Sequence, residues 1–565
     1  MLSYDSAGYC FQIIQTKTYC AEGRWGAAFP QFLPLMALKN HCSLKLFLQL
    51  YSVSFILIYY FIFFLCTVVL RNNKAGLILM LSMCLGFRWM FYYTICELFM
   101  GMAFSILFYA IIAPENPYSS SLKKWMATLI SLPLIYTISY LHQLALFPVL
   151  FIVLYELIGN KKKGDIHLWI VIMAAIAWSF IRIHFLSEAD YNGGKILSIG
   201  TYFTQLFNII NLTSWWYFKT YFKENLPSLC YTGLICLIIA AYRKNWLLLG
   251  YLILFTSIYI ALIVLTYYKG ESTLMYQHYY PPIGLFVAVA FINLIYNSLP
   301  KKLLYLIVAI LLFFNVKGIY QAHAFQTERN NYLQSLTNYG HKLNAKKNLL
   351  DNRNIPTAIT SVQWALPYET LMFSSIPSPD SAVTFSYYYD SYRVNDLINK
   401  ENAFIGHPWA LSDYSTDKLY KEYFHLPSTG YLKMNTPQSD TSFHESIFNS
   451  KNVFLSFQHN EIHATKREKL IVSLAIINKS GKTINSTPDG NHPVYLSYHI
   501  YDENGNIIRW DTQKTTLEVD IKDEYTQVLY VEAPNRHRTY IIEADFYTEG
   551  LRWWFCTSRF KLVVQ

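Results

Sequence analysis

The chain of 565 residues has little charge, with Asp, Glu, Lys and Arg making up 15% of it. Soluble proteins carry about 25% charged residues, so this shortage excludes an ordinary soluble enzyme. The nine cysteines never stand in C-x-x-C spacing, which argues against a zinc site or a thioredoxin-type redox motif. The opening MLSYDSAGY lacks the basic and apolar regions of a secretory signal.

Long apolar runs fill the first 318 positions, and 53% of the whole chain is hydrophobic. The runs are about 16–25 residues long, which matches a bilayer core of about 30 Å at 1.5 Å per helical residue. The stretch 26–38 contains two prolines and is too short to span, so we expect an interfacial or re-entrant piece there. Membrane spans are predicted near residues 44–70, 75–95, 97–114, 125–142, 144–160, 166–187, 227–242, 246–267, 280–298 and 302–318.

Basic residues stand in alternate loops of this apolar part, which predicts that those loops face the cytoplasm. The net charge is +12 for residues 1–318 and −2 for the rest. The basic excess therefore belongs to the apolar part, where it indicates how the helices are oriented in a lipid bilayer. It does not indicate a nucleic-acid partner. Residues 1–43, 188–226, 268–279 and everything after 319 then lie outside. Because an outer N-terminus without a preceding helix is unusual, we expect that a first transmembrane helix is missing from this chain. The basic loops hold Arg71 and Lys74; Lys123 and Lys124; Lys161, Lys162 and Lys163; Arg243 and Lys244; Lys301 and Lys302.

Most ionisable groups of the apolar part gather at the outer ends of the predicted spans. Carboxylates can take a proton from an attacking hydroxyl, and guanidinium groups hold phosphate in a bidentate manner. This combination predicts chemistry on a phosphate-bearing lipid. The alternatives are solvated loop charges, a snorkelling or ion-paired role for Arg88 and Arg182, and a helix-cap role for His142. The outer group comprises Asp5, Glu22, Arg24, Arg88, Glu97, His142, Arg182, His184, Glu188, Asp190, Lys195, Lys269, Glu271 and His278.

Three segments resemble GT-C type polytopic glycosyltransferases, and the resemblance covers residues 1–318. The opening YDSAGYCFQIIQ with GRWGAAFPQFLPLMALK is similar to the family's first periplasmic loop, and Asp5 stands where the family has an acid. Many members have a second acid beside it, whereas this chain has Ser6. CELFMGMAFSILFYA places Glu97 at the outer start of a later helix. KGESTLMYQHYYPPIGLF places His278 and Tyr279 where many members have Arg–Tyr.

The resemblance implies transfer of a sugar from a polyprenyl-phosphate donor to a glycan or lipid acceptor on the periplasmic side of a bacterial inner membrane. Asp5 would be the general base and Glu97 a second catalytic carboxylate. The transfer would be metal-assisted, with Mg²⁺ or Mn²⁺, or metal-free, and no metal ligands are assigned. The outer segments lack a glycine-rich phosphate loop, so a nucleotide-sugar donor is not indicated. Substrate-binding candidates, some by position and not by motif, are Arg24, Arg88, His142, Arg182, His184, His278 and Tyr279.

The composition changes after position 318. Residues 319–450 mix a helical pattern with short strand-like runs, which predicts a periplasmic α/β or mixed segment. Residues 451–565 alternate apolar and polar positions and contain the hairpin signal Asn504–Gly505, which predicts a β-sandwich. This part resembles the immunoglobulin-like domains of bacterial surface-polysaccharide proteins. The aromatic run Trp553–Phe555 is either a sugar platform or part of the core.

The predicted fold class is therefore a polytopic α-helical membrane domain over 1–318, followed by the α/β segment and the sandwich. The function expected first is a membrane glycosyltransferase. A polyprenyl-linked glycan polymerase, ligase or flippase is the second reading, although a flippase needs a charged midplane cavity and the centres of most predicted spans are nearly uncharged. A non-catalytic envelope assembly protein is the third.

Overall fold

The computed structural model describes most of the chain, and the helices dominate its first part. The helices are α1 (Asp5–Thr16), α2 (Phe32–Lys39), α3 (Leu44–Phe64), α4 (Asn73–Gly86), α5 (Glu97–Ile112), α6 (Ser121–Leu141), α7 (Leu146–Ile158), α8 (Ile166–His184), α9 (Thr213–Asn225), α10 (Pro227–Tyr242), α11 (Trp246–Thr266), α12 (Pro281–Ile295), α13 (Lys301–Lys342) and α14 (Leu366–Ser375). The described residues are 5–20, 25–92, 97–116, 118–160, 162, 164–184, 205–267, 277–351, 355, 363–388, 397–407, 412–434, 452–481, 483–484, 494–505, 507–509, 512–548, 552–554 and 556–565.

Four helical segments of the described chain are long and apolar enough to cross a membrane: Leu44–Val69, Trp246–Thr266, Gln277–Ile295 and Lys301–Lys342. A fifth is counted if α9 and α10, which meet at 94°, form one broken span. The other predicted spans contain helices, but α4, α5 and α7 have 14, 16 and 13 residues. Ten membrane-length helices are therefore not present in the described residues, because local breaks such as the extended residue Phe87 end several helices early.

Side-chain caps and prolines explain where many of these helices begin. The capping side chains accept a hydrogen bond from the backbone N–H three residues later, which satisfies one of the free N–H groups of a first turn. Two helices, α10 and α12, instead start with proline, whose fixed φ suits the first helical position. The caps are Ser43, Asn72, Ser120 and Asn245.

Helices α4 and α12 approach each other closely through glycines. A Cβ atom built on Gly284 would lie 2.9 Å from the backbone nitrogen of Gly86, and one on Gly86 would lie 3.0 Å from Pro281. Small residues of this kind let apolar helices pack backbone to backbone. The pair therefore forms a tight centre in the apolar core of the helical part, and α12 is buried along most of its length.

Helix α13 continues without a break from the helical part into the segment that follows. Its 42 residues correspond to a length of roughly 63 Å at 1.5 Å per residue. Trp89 stacks on Phe325 with ring centroids 4.7 Å apart, and Tyr92 donates a hydrogen bond to the carbonyl of Ile319 at 3.0 Å. The helix ends just before Asn344, which has a φ of +52°, a value that Asn tolerates better than most residues. Position 318 thus lies inside one continuous helix.

A small parallel sheet follows α13. Strand β1 (Lys347–Asp351) lies between β2 (Thr384–Tyr388) and β5 (Leu432–Lys433), and both pairings are parallel. Helix α14 connects β1 to β2, as a parallel pair requires. Strands β3 (Ala403–His407) and β4 (Ser412–Ser415) form a separate antiparallel pair. The α/β segment therefore has apolar contacts on both faces of its sheet.

Helices α1 and α2 share one apolar core with the α/β segment. Phe11 of α1 contacts the rings of Tyr368, Phe404 and Tyr414 at centroid distances of 4.9, 5.2 and 4.9 Å. The same core contains residues of α2 and the first turns of α3. Helix α1 is consequently held between the helical part and α14.

The last described segment contains two sheets with a common apolar core. One sheet has the order β10-β9-β13-β15-β7, with β11 and β14 paired at its side, and the other has the order β12-β8-β6. The predicted turn at Asn504–Gly505 is confirmed, since Gly505 has a φ of +81° between antiparallel β9 and β10. Trp554 is buried against Phe546 and belongs to the core. The strands are β6 (Val453–Phe457), β7 (Glu461–Ala464), β8 (Lys469–Asn478), β9 (Val494–Asp502), β10 (Ile507–Arg509), β11 (Thr515–Thr516), β12 (Glu524–Glu532), β13 (Arg538–Thr548), β14 (Arg552–Trp553) and β15 (Ser558–Val564).

Candidate functional site

We call five helix ends the upper ends: Leu44 of α3, Gly86 of α4, Glu97 of α5, Leu141 of α6 and Pro281 of α12. Gly86 lies against Pro281, Leu141 lies against the first turns of α5, and Leu44 packs in the core that contains α1. Most of the predicted site residues stand at these ends. The segment before α12, from Gln277 to Tyr280, lies beside α5 and α6 at this level. The upper ends therefore bring together parts of the chain that are far apart in sequence.

A continuous row of rings connects the upper ends. Phe87 contacts Phe99 at 4.3 Å between centroids, and Phe99 contacts His278 at 5.5 Å. The next ring, Tyr279, lies 5.5 Å from His278 and 5.9 Å from His142. The predicted residues His142, His278 and Tyr279 are thus brought together by the structure.

His142 also acts as a helix cap, as one of the two sequence interpretations expected. Its Nδ1 accepts a hydrogen bond from the backbone N–H of Leu144 at 3.1 Å. That bond requires Nδ1 to be unprotonated and leaves the proton of a neutral ring on Nε2. The capping role fixes the orientation of the His142 ring.

Glu97 is the first residue of α5, and its side chain is 5% exposed. A carboxylate at a helix N-terminus is favoured by the helix dipole. The carboxylate of Glu97 interacts electrostatically with the hydroxyl of Tyr51 on α3. Tyr51 also interacts electrostatically with Cys10 of α1. Burial raises the pKa of the Cys10 thiol well above its ordinary value, so this thiol stays protonated and is not a nucleophile. Glu97 is therefore a buried carboxylate at the start of α5 whose charge reaches a side chain that packs with α1.

Arg88 follows Phe87 at the base of the ring row and is held by three hydrogen bonds. Its Nη1 donates to the carbonyls of Cys84 at 3.1 Å and Phe87 at 2.6 Å, and its Nη2 donates to Oδ1 of Asn315 at 3.0 Å. Gly318 provides the space, since a Cβ there would lie 2.9 Å from Nε. These bonds use three of the five N–H groups of the guanidinium. Arg88 is thus fixed in place as a buried positive charge.

Four buried polar atoms near the upper ends have no hydrogen-bond partner among the described residues. They are the hydroxyls of Tyr51 and Tyr280, Nε2 of Gln143 and Oε1 of Gln277. Buried polar groups in native structures are nearly always paired, with protein, water or ligand. These atoms accordingly mark positions where a polar ligand can bind.

The sequence interpretation missed these four residues. Uncharged side chains do not stand out in an apolar chain, and only the packing shows that they are buried. One local signal was present, namely the neighbouring pairs His142–Gln143 and Gln277–His278 at two upper ends. A search for His–Gln pairs at predicted span ends finds both.

Four predicted site residues fall outside what the structure describes. Arg24 lies outside the described residues altogether. Asp5 begins α1, and Arg182 and His184 lie in the last turn of α8, but their side chains are not among those described. The positions of these side chains relative to the ring row therefore stay predictions.

The described residues do not form a divalent-metal site by themselves. No group of three or more His, Cys, Asp or Glu side chains within the described ranges is placed to hold an ion. Mg²⁺ and Mn²⁺ favour several oxygen ligands, and Glu97 is the single predicted catalytic carboxylate whose side chain is described. We therefore derive no step through a metal.

Comparisons with known proteins add little to this picture. No protein-family model matches the chain, and no curated protein matches it. One similar solved structure is the Pseudomonas fluorescens alkylpurine DNA glycosylase AlkC bound to DNA containing an abasic site analog. That match has a TM-score of 0.13 and 9% sequence identity, and it covers 20% of this chain and 31% of that chain. So low a score carries no argument about fold or function, and the interpretation of the site depends on its own residues.

Proposed function

We propose that this protein is an integral membrane glycosyltransferase of the GT-C type. It transfers a sugar from a polyprenyl-phosphate donor to a cell-envelope glycan or lipid acceptor, at the outer side of a bacterial inner membrane. The observation that carries the proposal is the gathering of Glu97, Arg88, His142, His278 and Tyr279 at the upper ends. The site combines a carboxylic acid, a fixed guanidinium group and aromatic rings about the size of a sugar. This combination suits a donor in which the sugar is carried by a lipid phosphate.

The orientation of the site is part of the proposal. The basic loops lie at the helix ends opposite to the upper ends, so the positive-inside rule makes the upper ends the outer side. Several shorter apolar helices, α4, α5 and α7 among them, complete a set of about ten spans in this proposal. The α/β segment and the immunoglobulin-like sandwich then lie in the periplasm, where they orient the acceptor.

The proposed reaction is a single displacement with inversion at the anomeric carbon. The acceptor hydroxyl attacks this carbon and gives its proton to a carboxylate, while the bond from the anomeric carbon to the phosphate oxygen breaks. Asp5 is the proposed base, and Glu97 is the proposed second carboxylate. The polyprenyl phosphate leaves with its negative charge beside Arg88, whose bonds to Cys84, Phe87 and Asn315 keep the guanidinium from moving.

Sugar transfer in isolated membranes tests this proposal. A panel of polyprenyl-phosphate sugars is offered to wild type, Asp5→Asn, Glu97→Gln and the control Glu224→Gln at matched expression. Glu224 is an exposed carboxylate near the end of α9, outside the ring row. We expect Asp5→Asn to lower the transfer rate by about 10²–10⁴-fold, the usual contribution of a general base, and Glu224→Gln to leave it unchanged.

Two results would contradict the assignment. Equal rates for wild type and Asp5→Asn would remove Asp5 as the base, and a loss confined to Glu97→Gln would move the role to Glu97. No product from any donor, with every variant folded and inserted, would contradict the transferase and favour an assembly protein.

A further inference from the structure

A pocket of about 210 Å³ opens beside α2, away from the ring row. The walls combine apolar and basic side chains. They are formed by Lys17, Thr18, Tyr19, Phe32, Leu35, Met36 and Lys39.

The pocket lies next to the surface that faces lipid. Helix α2 ends at Lys39, and the membrane-length helix α3 begins five residues later at Leu44. Exposed apolar side chains continue down α3 from Leu46. Phe32 and Met36 are 55% and 45% exposed although they are apolar, which is typical of side chains that contact lipid. The pocket is therefore at the level of the lipid headgroups.

Two lysines give the pocket a positive rim. Lys39 takes part in no ion pair within the described part of the chain. The ammonium of Lys17 lies 4.6 Å from the centroid of the Tyr420 ring. The nearby carboxylate of Glu422 is bound by His41, with 2.8 Å from Nδ1 to each oxygen, and it also interacts electrostatically with Lys17. Among the described residues, Lys39 thus has no carboxylate partner that neutralises its positive charge.

We propose that this pocket binds the headgroup of an anionic glycerophospholipid from the outer leaflet. The phosphate lies between Lys17 and Lys39, and the glycerol and first methylene groups lie on Phe32, Leu35 and Met36. A zwitterionic headgroup is less suitable, because its ammonium would face two lysines. Free phosphate is less suitable too, because it leaves the apolar wall without a contact. This site is independent of the transfer reaction.

Lipid counting by native mass spectrometry tests the proposal on the full, delipidated chain in neutral detergent. The probes are dioleoyl-phosphatidylglycerol, dioleoyl-phosphatidylcholine and inorganic phosphate. We expect one saturable phosphatidylglycerol that binds at least tenfold more tightly than phosphatidylcholine. Because each lysine near a membrane surface contributes about 1 kcal/mol of attraction to anionic lipid, the double variant Lys17→Gln/Lys39→Gln should weaken binding about tenfold to thirtyfold.

The matched control is Lys219→Gln/Lys223→Gln, which removes two exposed lysines of α9. It should leave the saturable site intact. Equal binding of the two phospholipids, or equal losses in both double variants, would overturn the proposal. Displacement of phosphatidylglycerol by inorganic phosphate at equal concentration would also overturn it, in favour of a site for free phosphate.

Discussion

The ion pair between Arg329 and Glu369 provides the sharpest test of how the helical part and the α/β segment are joined. Both side chains are buried, and Nη2 of Arg329 donates to both carboxylate oxygens, at 2.6 Å to Oε1. The pair connects α13 to α14, the helix that also packs on α1. Removal of one partner of a buried ion pair typically costs about 3–5 kcal/mol.

Glu369→Gln is therefore expected to destabilise the protein strongly. Since 1 kcal/mol shifts the Tm of a unit of 150–250 residues by roughly 2–4 °C and that of a larger unit by less, the fall in Tm is at most roughly 6–20 °C. The measurement is thermal unfolding in detergent at one fixed scan rate, because unfolding of large membrane proteins is rarely reversible. Hydrogen exchange of peptides from α14 locates the change. The control is Glu328→Gln, since Glu328 is the exposed neighbour of Arg329 on α13.

A double variant distinguishes the pair from the packing around it. Arg329→Met combined with Glu369→Leu replaces the ions by apolar side chains, which is often neutral or stabilising for a buried pair. We expect its Tm to lie well above that of Glu369→Gln. The reasoning is refuted if Glu369→Gln melts like wild type, or if the double variant is as unstable as the single one.

Two further predictions follow from close contacts. Gly284→Ala places a Cβ 2.9 Å from the nitrogen of Gly86 and should cost about 1–3 kcal/mol of stability, measured as a lower Tm. In the control Gly250→Ala, the added Cβ has nothing within 4 Å, and the Tm should not fall. The hydrogen bond from His41 lowers the pKa of the Glu422 carboxyl. The bond therefore stabilises the folded protein above the usual glutamate pKa of about 4.3. This stabilisation is lost as the pH falls through the lowered pKa of Glu422. The Tm difference between wild type and His41→Gln should therefore disappear in acid, and a difference that grows below pH 4 would contradict the assignment.

Hydropathy predicted the apolar helices well but not their lengths. It averages over a run and does not see where a helix stops, so the predicted span 75–95 contains α4, which ends at Gly86, and then a short turn from Trp89 to Tyr92. In contrast, the helical pattern predicted at the start of residues 319–450 is present up to Lys342, as the continuation of α13, and strand β1 follows from Lys347. Local turn chemistry was reliable too, as the Asn504–Gly505 hairpin shows.

The candidate site was predicted only in part. Ionisable residues are conspicuous in an apolar sequence, so Glu97, His142 and His278 were found. Gln277 and Tyr280 were not, because only packing reveals a buried uncharged group without a partner. The interpretation of Arg88 as a free phosphate ligand changes as well, since much of its guanidinium is bound by the protein.

The sequence alone determined the class of protein, its charge asymmetry, the order of helical and strand-rich parts and the types of residue at the span ends. These properties are encoded locally, in composition, periodicity and turn residues. The tertiary structure decided which segments meet. Arg88 bonds to Asn315, 227 positions away, and α1 shares its core with α14. Such contacts depend on how distant apolar surfaces fit together, and no local pattern specifies that fit.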